Sequence, residues 1–478
     1  MIAMTTLQAL AAITDDGLFE HLATEILRAA NPTYGSLAHP GINVAGRTVK
    51  SPLDGICFIP GADPPHLIAV HHTTVARDSL EKKWLNDPSK VKPRKRSRAT
   101  APTGDLVKTA ALVADERTRT PDLQVTLVLT TTQEPAEDLV RSVEAAGKDR
   151  GLKIDLWSRS RLASFLDIDA TGQWLRRKFL GIDQELLSTE LLHELSKTSL
   201  EIYRPRDNPT AWVPRGLDSM LTTNLRRDVT FLVAGSGLGK SVACYRKLVA
   251  HVEGGGFGFV LPHEAVKSSM TLEQALATAL KQLHLLLAVE VVPPLSLCSA
   301  KRPLLLVVED INRSGQTQLL TRKIAGWSRA PTQDKSGTTV SLWRLLCPLW
   351  PQGLASLGEQ DRKHIEPLTI TAGGFTHTEG RDAVLARARL RGQELSSSSA
   401  EAISKALGHD PLLIALYDQD LAPDPHEVIT QFVDGLLSRA AAAAQDYLPA
   451  DYRKALRSLA EEMLVNRQID LPWPEISD

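Results

Sequence analysis

The residues of this chain best suited to chemistry are Lys240 and Ser241, which close the stretch Val229–Ser241, VTFLVAGSGLGKS. A lysine followed by a hydroxyl, at the end of a glycine-rich turn, is a combination that takes a polyphosphate and its magnesium ion. Gly235, Gly237 and Gly239 let the backbone curl, so that successive N–H groups point at one spot. Against the pattern G-x-x-x-x-G-K-[ST], Ala234 stands at the first position in place of glycine. The loop Ala234, Gly235, Ser236, Gly237, Leu238, Gly239, Lys240, Ser241 and Val242 is therefore expected to cradle ATP. Lys240 would reach the β- and γ-phosphates, and the Ser241 hydroxyl would hold Mg²⁺.

Two acids make a second group. Leu304–Val308 is a continuous apolar run that ends in Glu309-Asp310. A strand buried on both faces of a parallel sheet reads this way. Acids at its carboxyl end suit metal and water: one orients the Mg²⁺ shell, the other polarises the attacking water. The usual order places Asp first, so Glu309 departs slightly from it. Asn312-Arg313 follow and are candidates for sensing the γ-phosphate.

These groups need a scaffold. Thr230–Val233 reads as a buried strand that empties into the loop, and Ser241 to about His251 as a helix aiming its positive end at the same spot. Further strands are expected at Gly258–Leu261, Pro303–Val308, Val340–Cys347 and His364–Ile370, with a helix at Thr271–Leu287. Ligands of open α/β sheets bind outside the carboxyl ends of the strands, where both groups fall.

The chain is 478 residues long, too long for one core, and its net charge is −1. No global field draws it to nucleic acid or to a membrane. Its four cysteines, Cys57, Cys244, Cys298 and Cys347, are scattered without metal-ligand spacing, as in a reducing compartment. No leader and no bilayer-length apolar run is visible, so a cytoplasmic protein is expected. Residues 1–181 alternate helices (Leu7–Ala29, Asp105–Arg117, Glu134–Ala146, and one starting at Ser160–Leu166) with strands (Asp54–Ile59, His66–His72, Gln124–Leu129, Lys153–Trp157), an α/β arrangement. Residues 182–214 read as a connecting helix and a proline-rich linker, 215–371 as the phosphate-binding domain, and 372–478 as a helical region.

The loop, the strand with paired acids, and Leu407-Gly408-His409-Asp410-Pro411-Leu412-Leu413 together resemble STAND-type NTPases, signal-transduction ATPases related to NACHT proteins. The resemblance spans about Arg215 to Leu421. It implies a central parallel-sheet NTPase domain, a helical or winged-helix region beyond it, and nucleotide-driven oligomerisation. In that family a Gly-x-Pro motif marks the helical region, and its proline packs near the base; Pro411 is assigned so, although Gly408-x-x-Pro411 has one extra residue. Trp212-Val213-Pro214-Arg215 stands where the family contacts adenine, which assigns Arg215. An arginine is frequent at the end of the family's fourth strand; Cys347-Pro348 stand there instead, with Arg344 inside the strand. Family sensors are long C-terminal repeats; a separate sensor protein, the helical tail as sensor, and a longer natural chain are all open, and an unknown trigger or sensor protein is an expected partner.

Residues Gly17 to Phe179 resemble the restriction-endonuclease-like PD-(D/E)xK fold. Glu20 on a first helix, Asp54-Gly55 opening a strand and the strand Leu67–His72 follow that order of parts. The resemblance implies a divalent metal that activates water against a phosphodiester of DNA, with Glu20, Asp54 and His71 as site residues. His71-His72-Thr73 stands in place of Glu-x-Lys. A metal held by Asp54 and a histidine is one possibility, with Lys82 or Lys83 supplying the missing charge. A domain that binds DNA without cutting it is the other. The basic run Lys90–Arg98 suits phosphate contacts.

The reading is an ATP-dependent switch, oligomeric when active, that controls an N-terminal Mg²⁺-dependent endonuclease, in the manner of antiviral STAND proteins. The alternative is a signalling or scaffold ATPase whose N-terminal domain binds without cleaving. A metabolic P-loop kinase is disfavoured by the long flanking regions.

Overall fold

The computed structural model describes residues 4–38, 53–90, 103–205, 212–225, 227–309, 311–328, 341–418, 422–444 and 448–465. Asp310 and the basic segment 91–98 lie outside these. The chain forms two compact units, Met1–Leu195 with Leu280–Leu297, and Ser196–Ala279 with Cys298–Asp478. The division falls inside one helix, between Leu195 and Ser196, whereas the sequence reading places its boundaries at 181 and 214.

In the first unit, α1 (Thr6–Ala11) and α2 (Asp16–Ala30) precede β1 (Gly55–Phe58) and β2 (His66–Thr73). The expected single helix Leu7–Ala29 is thus two, because Thr5 and Asp15 each cap a separate start. There follow α3 (Leu80–Leu85), α4 (Asp105–Arg119), β3 (Gln124–Thr131), α5 (Glu137–Lys148), β4 (Lys153–Trp157), α6 (Arg159–Ile168) and α7 (Ala170–Leu180). The sheet runs β1-β2-β3-β4, with β1 antiparallel to β2 and the other pairs parallel. One face buries Phe19, Leu22, Ile26, Ile68 and Val70, the other Trp84, Leu106, Leu127 and Val143. Alternate residues of β2 and β3 feed the two cores, as the two-residue period of a strand requires. Leu280–Leu297 joins this unit, and the Ala288 amide donates to the Glu185 carbonyl at 2.8 Å.

The helix α8 (Thr189–Ile202) holds the division between the units. The second unit contains α9 (Gly216–Asn224), β5 (Val229–Val233), α10 (Lys240–Glu253), β6 (Gly258–Pro262) and α11 (His263–Ser268). Next come α12 (Leu272–Leu283), β7 (Leu304–Glu309), α13 (Thr317–Trp327), β8 (Trp343–Leu349), α14 (Pro351–Ala355), α15 (Glu359–Ile365) and β9 (Thr369–Thr371). All five strands are parallel, in the order β6-β7-β8-β5-β9. The expected strand His364–Ile370 shrinks to Thr369–Thr371. A Glu359–Lys363 pair one turn apart supports helix before it, and a 3-10 turn, Glu366–Leu368, with Pro367 in its first turn carries the chain up to the strand. Among the described residues five helices close the unit: α16 (His377–Leu390), α17 (Ser397–Ala406), α18 (Pro411–Leu416), α19 (Pro425–Ala444) and α20 (Pro449–Val465). No described helix is long and apolar enough to cross a membrane.

Candidate nucleotide site and N-terminal centre

β5 is buried at every residue, since it lies between β8 and β9 with helices above and below. Its last backbone bond continues past the strand: the Ala234 amide donates to the Leu349 carbonyl at 3.2 Å. Only Gly237 and Gly239 of the loop have left-handed backbone, with φ of 78° and 81°. Position 234 needs no such freedom, which is why alanine is accepted there. Lys240 opens α10 and is 6% exposed. Its Nζ donates to the carbonyls of Ala234 at 2.8 Å and Gly235 at 2.6 Å. Burial holds this ammonium below its ordinary pKa.

The loop opens into a cavity of about 310 Å³ lined by Tyr203, Lys240, Ser241, Tyr245, Glu309 and Arg313, among others. The structure thus brings Ser241 and Glu309 into one cavity, as the sequence reading expects; Asp310 lies outside the described residues. A hydroxyl, an acid and room for water are a donor set that suits Mg²⁺. Asn312 has a different task. Its Oδ1 accepts from the Trp350 amide at 2.7 Å and its Nδ2 donates to the Pro348 carbonyl at 3.2 Å. It clips the ends of β7 and β8 together, so its amide is committed rather than poised for a γ-phosphate. Tyr203, Tyr245 and Trp350 are lining residues that sequence spacing does not reveal. Burial, then Glu309 and Glu264, raise the Tyr203 pKa.

A second cavity, about 490 Å³, adjoins the loop and is lined by Trp212, Arg215, Phe375, Pro411, Leu412 and others. Gly237, Gly239, Val242 and Leu412 line both cavities. Arg215 is 7% exposed and lies 4.7 Å from the Phe375 ring centroid. It donates to the Leu238 carbonyl at 2.9 Å and the Gly373 carbonyl at 3.0 Å. It therefore ties the loop to the segment leading into α16 rather than presenting a free guanidinium. The extra residue of Gly408-x-x-Pro411 is absorbed by left-handed backbone at Gly408 and His409, whose φ values are 65° and 54°. Asp410 then caps α18 by accepting from the Leu412 and Leu413 amides, with Pro411 at its first turn. Arg344 sits within β8, bonded to the Leu225 carbonyl at 2.6 Å and paired with Asp228.

The first unit places its expected residues together in part. The Asp54 carboxylate accepts from the His72 amide at 2.8 Å and lies 3.5 Å from His71 Nδ1. Burial alone would raise its pKa, but these two partners hold it below the ordinary value. Glu20 is close enough to feel it: burial, then Asp54 and Asp16, push the Glu20 pKa up to about 7. His71 is not an open ligand. It is 4% exposed, and its Nε2 is 3.2 Å from Thr109 Oγ1. His72 is held between Thr24 and Thr130 at 3.0 and 2.7 Å. Among the described residues no three His, Cys, Asp or Glu side chains stand where they could hold one metal ion. The metal expected at Asp54 therefore lacks a fitting donor set. Asp105 is the residue that sequence reading missed: it is fully buried beside this group, at the start of α4. Its only sequence signal is an acid opening an amphipathic helix.

A parallel sheet, a glycine loop that closes on a buried lysine, and an acid at the end of the strand two places away define the second unit as a P-loop NTPase-type domain. The chain is similar to a Walker-type ATPase of Pyrococcus abyssi, with 14% identity over 57% of this chain and 90% of that one and a TM-score of 0.32. It is also similar to Thermotoga maritima RuvB, the Holliday junction branch migration motor, with 14% identity over 54% of this chain and 78% of that one and a TM-score of 0.27. No protein-family model and no curated protein matches the sequence.

Proposed function

We propose that this protein is an ATP-binding and ATP-hydrolysing switch of the STAND type. The observation that carries this is the pair of adjoining cavities. One is built for phosphates and Mg²⁺ by Lys240, Ser241 and Glu309, the other is apolar and aromatic and suits a base; four residues line both. Lys240 would exchange the Ala234 and Gly235 carbonyls for phosphate oxygens. Arg215, Leu412 and Pro411 carry nucleotide occupancy to the helical region, and the output is assembly of several copies. The test is calorimetric titration with ATP plus Mg²⁺, and solution mass with ADP against a non-hydrolysable ATP analogue. No binding heat, or equal mass in both nucleotides, would refute it.

The first unit is proposed to bind DNA as the switch's output domain, in a setting of antiviral defence that rests on the family resemblance alone. The contact of Asp54 with the buried His71, and the lack of a three-ligand group among the described residues, favour binding without cleavage over a Mg²⁺-dependent endonuclease. A supercoiled-plasmid assay with Mg²⁺ or Mn²⁺, with and without ATP, decides it. Nicking that Asp54→Ala abolishes would restore the endonuclease reading.

A further inference from the structure

Asp105 stands out in the first unit. It is 0% exposed, and its Oδ2 has no hydrogen-bond partner. Two ammonium groups meet it from opposite oxygens: Lys108 Nζ is 3.0 Å from Oδ1 and Lys83 Nζ is 3.5 Å from Oδ2. The two lysine side chains are 39% and 32% exposed, so each is half-buried with its ammonium on the buried acid. His71 Nδ1, 4.0 Å away, leans toward Asp54 instead, at 3.5 Å. One buried carboxylate is shared by two cations, so Asp105 alone neutralises neither fully; Glu20 is a further acid within electrostatic range of Lys83.

The backbone fixes this arrangement. Lys83 lies on the short α3, which is pinned by Leu80 and Trp84, both 0% exposed. The chain ahead of α4 crosses α3 closely. The Gly104 amide donates to the Asn86 carbonyl at 2.7 Å, and a Cβ at Gly104 would lie 2.6 Å from the Asn86 nitrogen and 2.7 Å from the Trp84 carbonyl oxygen. Only glycine permits that approach, and it sets Asp105 one residue later against Lys83. Long lysines on a solvated face would otherwise sample many rotamers; here a buried acid limits two of them at once.

We propose that Lys83 and Lys108, aligned by Asp105, each take one backbone phosphate of a DNA duplex. This rests on the reading of the first unit as a DNA-binding domain and names where it grips. Asp105 is a positioning residue, and the contact is independent of base sequence.

The test is fluorescence anisotropy of a labelled duplex with the full-length protein over a series of salt concentrations. Each phosphate contact contributes about −0.9 to the slope of log K against log salt. Lys83→Ala and Lys108→Ala are each expected to flatten the slope by about 0.9, and the double variant by about twice that. Lys83→Arg keeps the charge and should keep the slope. Loss of fold alone would abolish binding rather than change its salt dependence, and Lys83→Gln provides a second neutral variant. If the wild type binds no duplex at low salt, the DNA-binding reading fails and this proposal with it. If the wild type binds and the lysine variants keep its slope, or the slope flattens only on neutralising Lys92, Arg94 and Lys95, this proposal alone is overturned.

Discussion

Gly237→Ala is the most informative single change in the phosphate-binding loop. The backbone there is left-handed, at φ 78°, and a Cβ would lie 3.0 Å from both Cβ and Cδ2 of Leu412 on α18. Two separable costs follow. Left-handed backbone costs a non-glycine residue about 1–2 kcal/mol. Pressing a Cβ against Leu412, which is 46% exposed and has room to shift, costs about 1 kcal/mol more, at the low end of overpacking. The first belongs to residue 237 alone; the second exists only while Leu412 faces the loop. Leu412→Gly removes that partner, and its own cost cancels in a double-mutant cycle. The cycle should therefore return a coupling of about 1 kcal/mol, while the double variant keeps the left-handed penalty. Urea unfolding of the full chain, with the four variants compared at a common midpoint analysis, is the assay. Additivity of Gly237→Ala and Leu412→Gly within about 0.5 kcal/mol would mean that α18 does not rest on the loop. The coupling between nucleotide and helical region argued above would then lose its contact.

Other outcomes follow from the same geometry. Lys240→Ala removes a charged donor that a phosphate would accept, and should weaken ATP binding by roughly tenfold to a hundredfold by calorimetry; an unchanged Kd would remove the lysine from the site. Asp54, held below its ordinary pKa by His71 and His72, contributes stability that is present above about pH 4 and lost as pH falls through its lowered folded value. Wild type and Asp54→Asn should accordingly converge in thermal stability only in acid, and a constant difference down to pH 3 would contradict this. Glu20 is shifted the other way, up to about 7. The folded state holds its proton more tightly than the unfolded chain, so stability falls as pH rises from 4.5 toward 7, and Glu20→Gln should gain on the wild type across that window. Phe231→Ala, on the fully buried β5, should cost about 3–5 kcal/mol by the same denaturation assay.

The sequence was most legible where one pattern served one environment. β5 and β7 are buried on both faces and read as unbroken apolar runs, so their positions and the loop after β5 follow from periodicity. Capping chemistry was harder to see. Thr5 and Asp15 split the first helical stretch, and α7 and α9 carry mixed faces that a period count passes over. The lining of the loop cavity was legible at Lys240, Ser241 and Glu309, which are contiguous with those strands. It was not legible at Tyr203, Trp350 or Asp105, which reach their centres only through tertiary packing. Asn312 shows the opposite error: its position after β7 suggested phosphate sensing, while its amide is spent on joining two strand ends.

The ties between the nucleotide loop and the helices that follow the sheet share one logic. Arg215 bonds the Leu238 carbonyl of the loop and the Gly373 carbonyl beyond β9 with one rigid guanidinium. Glu379 on α16 accepts from the Gly216 amide at 2.7 Å and the Thr376 amide at 2.9 Å. Burial would raise its pKa, but those amides and Arg215 hold it below the ordinary value, so it stays an acceptor at neutral pH. Leu412 on α18 packs on Gly237. The Arg215 and Leu412 contacts join the glycine-rich loop to the helical region, and Glu379 joins α16 to the start of α9; on the proposed reading a base entering the cavity lined by Arg215 and Pro411 would alter them. A ligand shifts a conformational equilibrium only by its difference in affinity for the two states. On the proposed reading that difference arises here, because a nucleotide filling both cavities must pass the Leu412–Gly237 contact, whereas phosphate alone need not. Adenine nucleotides should therefore move α16–α18 in hydrogen exchange, and inorganic triphosphate at equal occupancy should not; equal protection by both would place the coupling elsewhere.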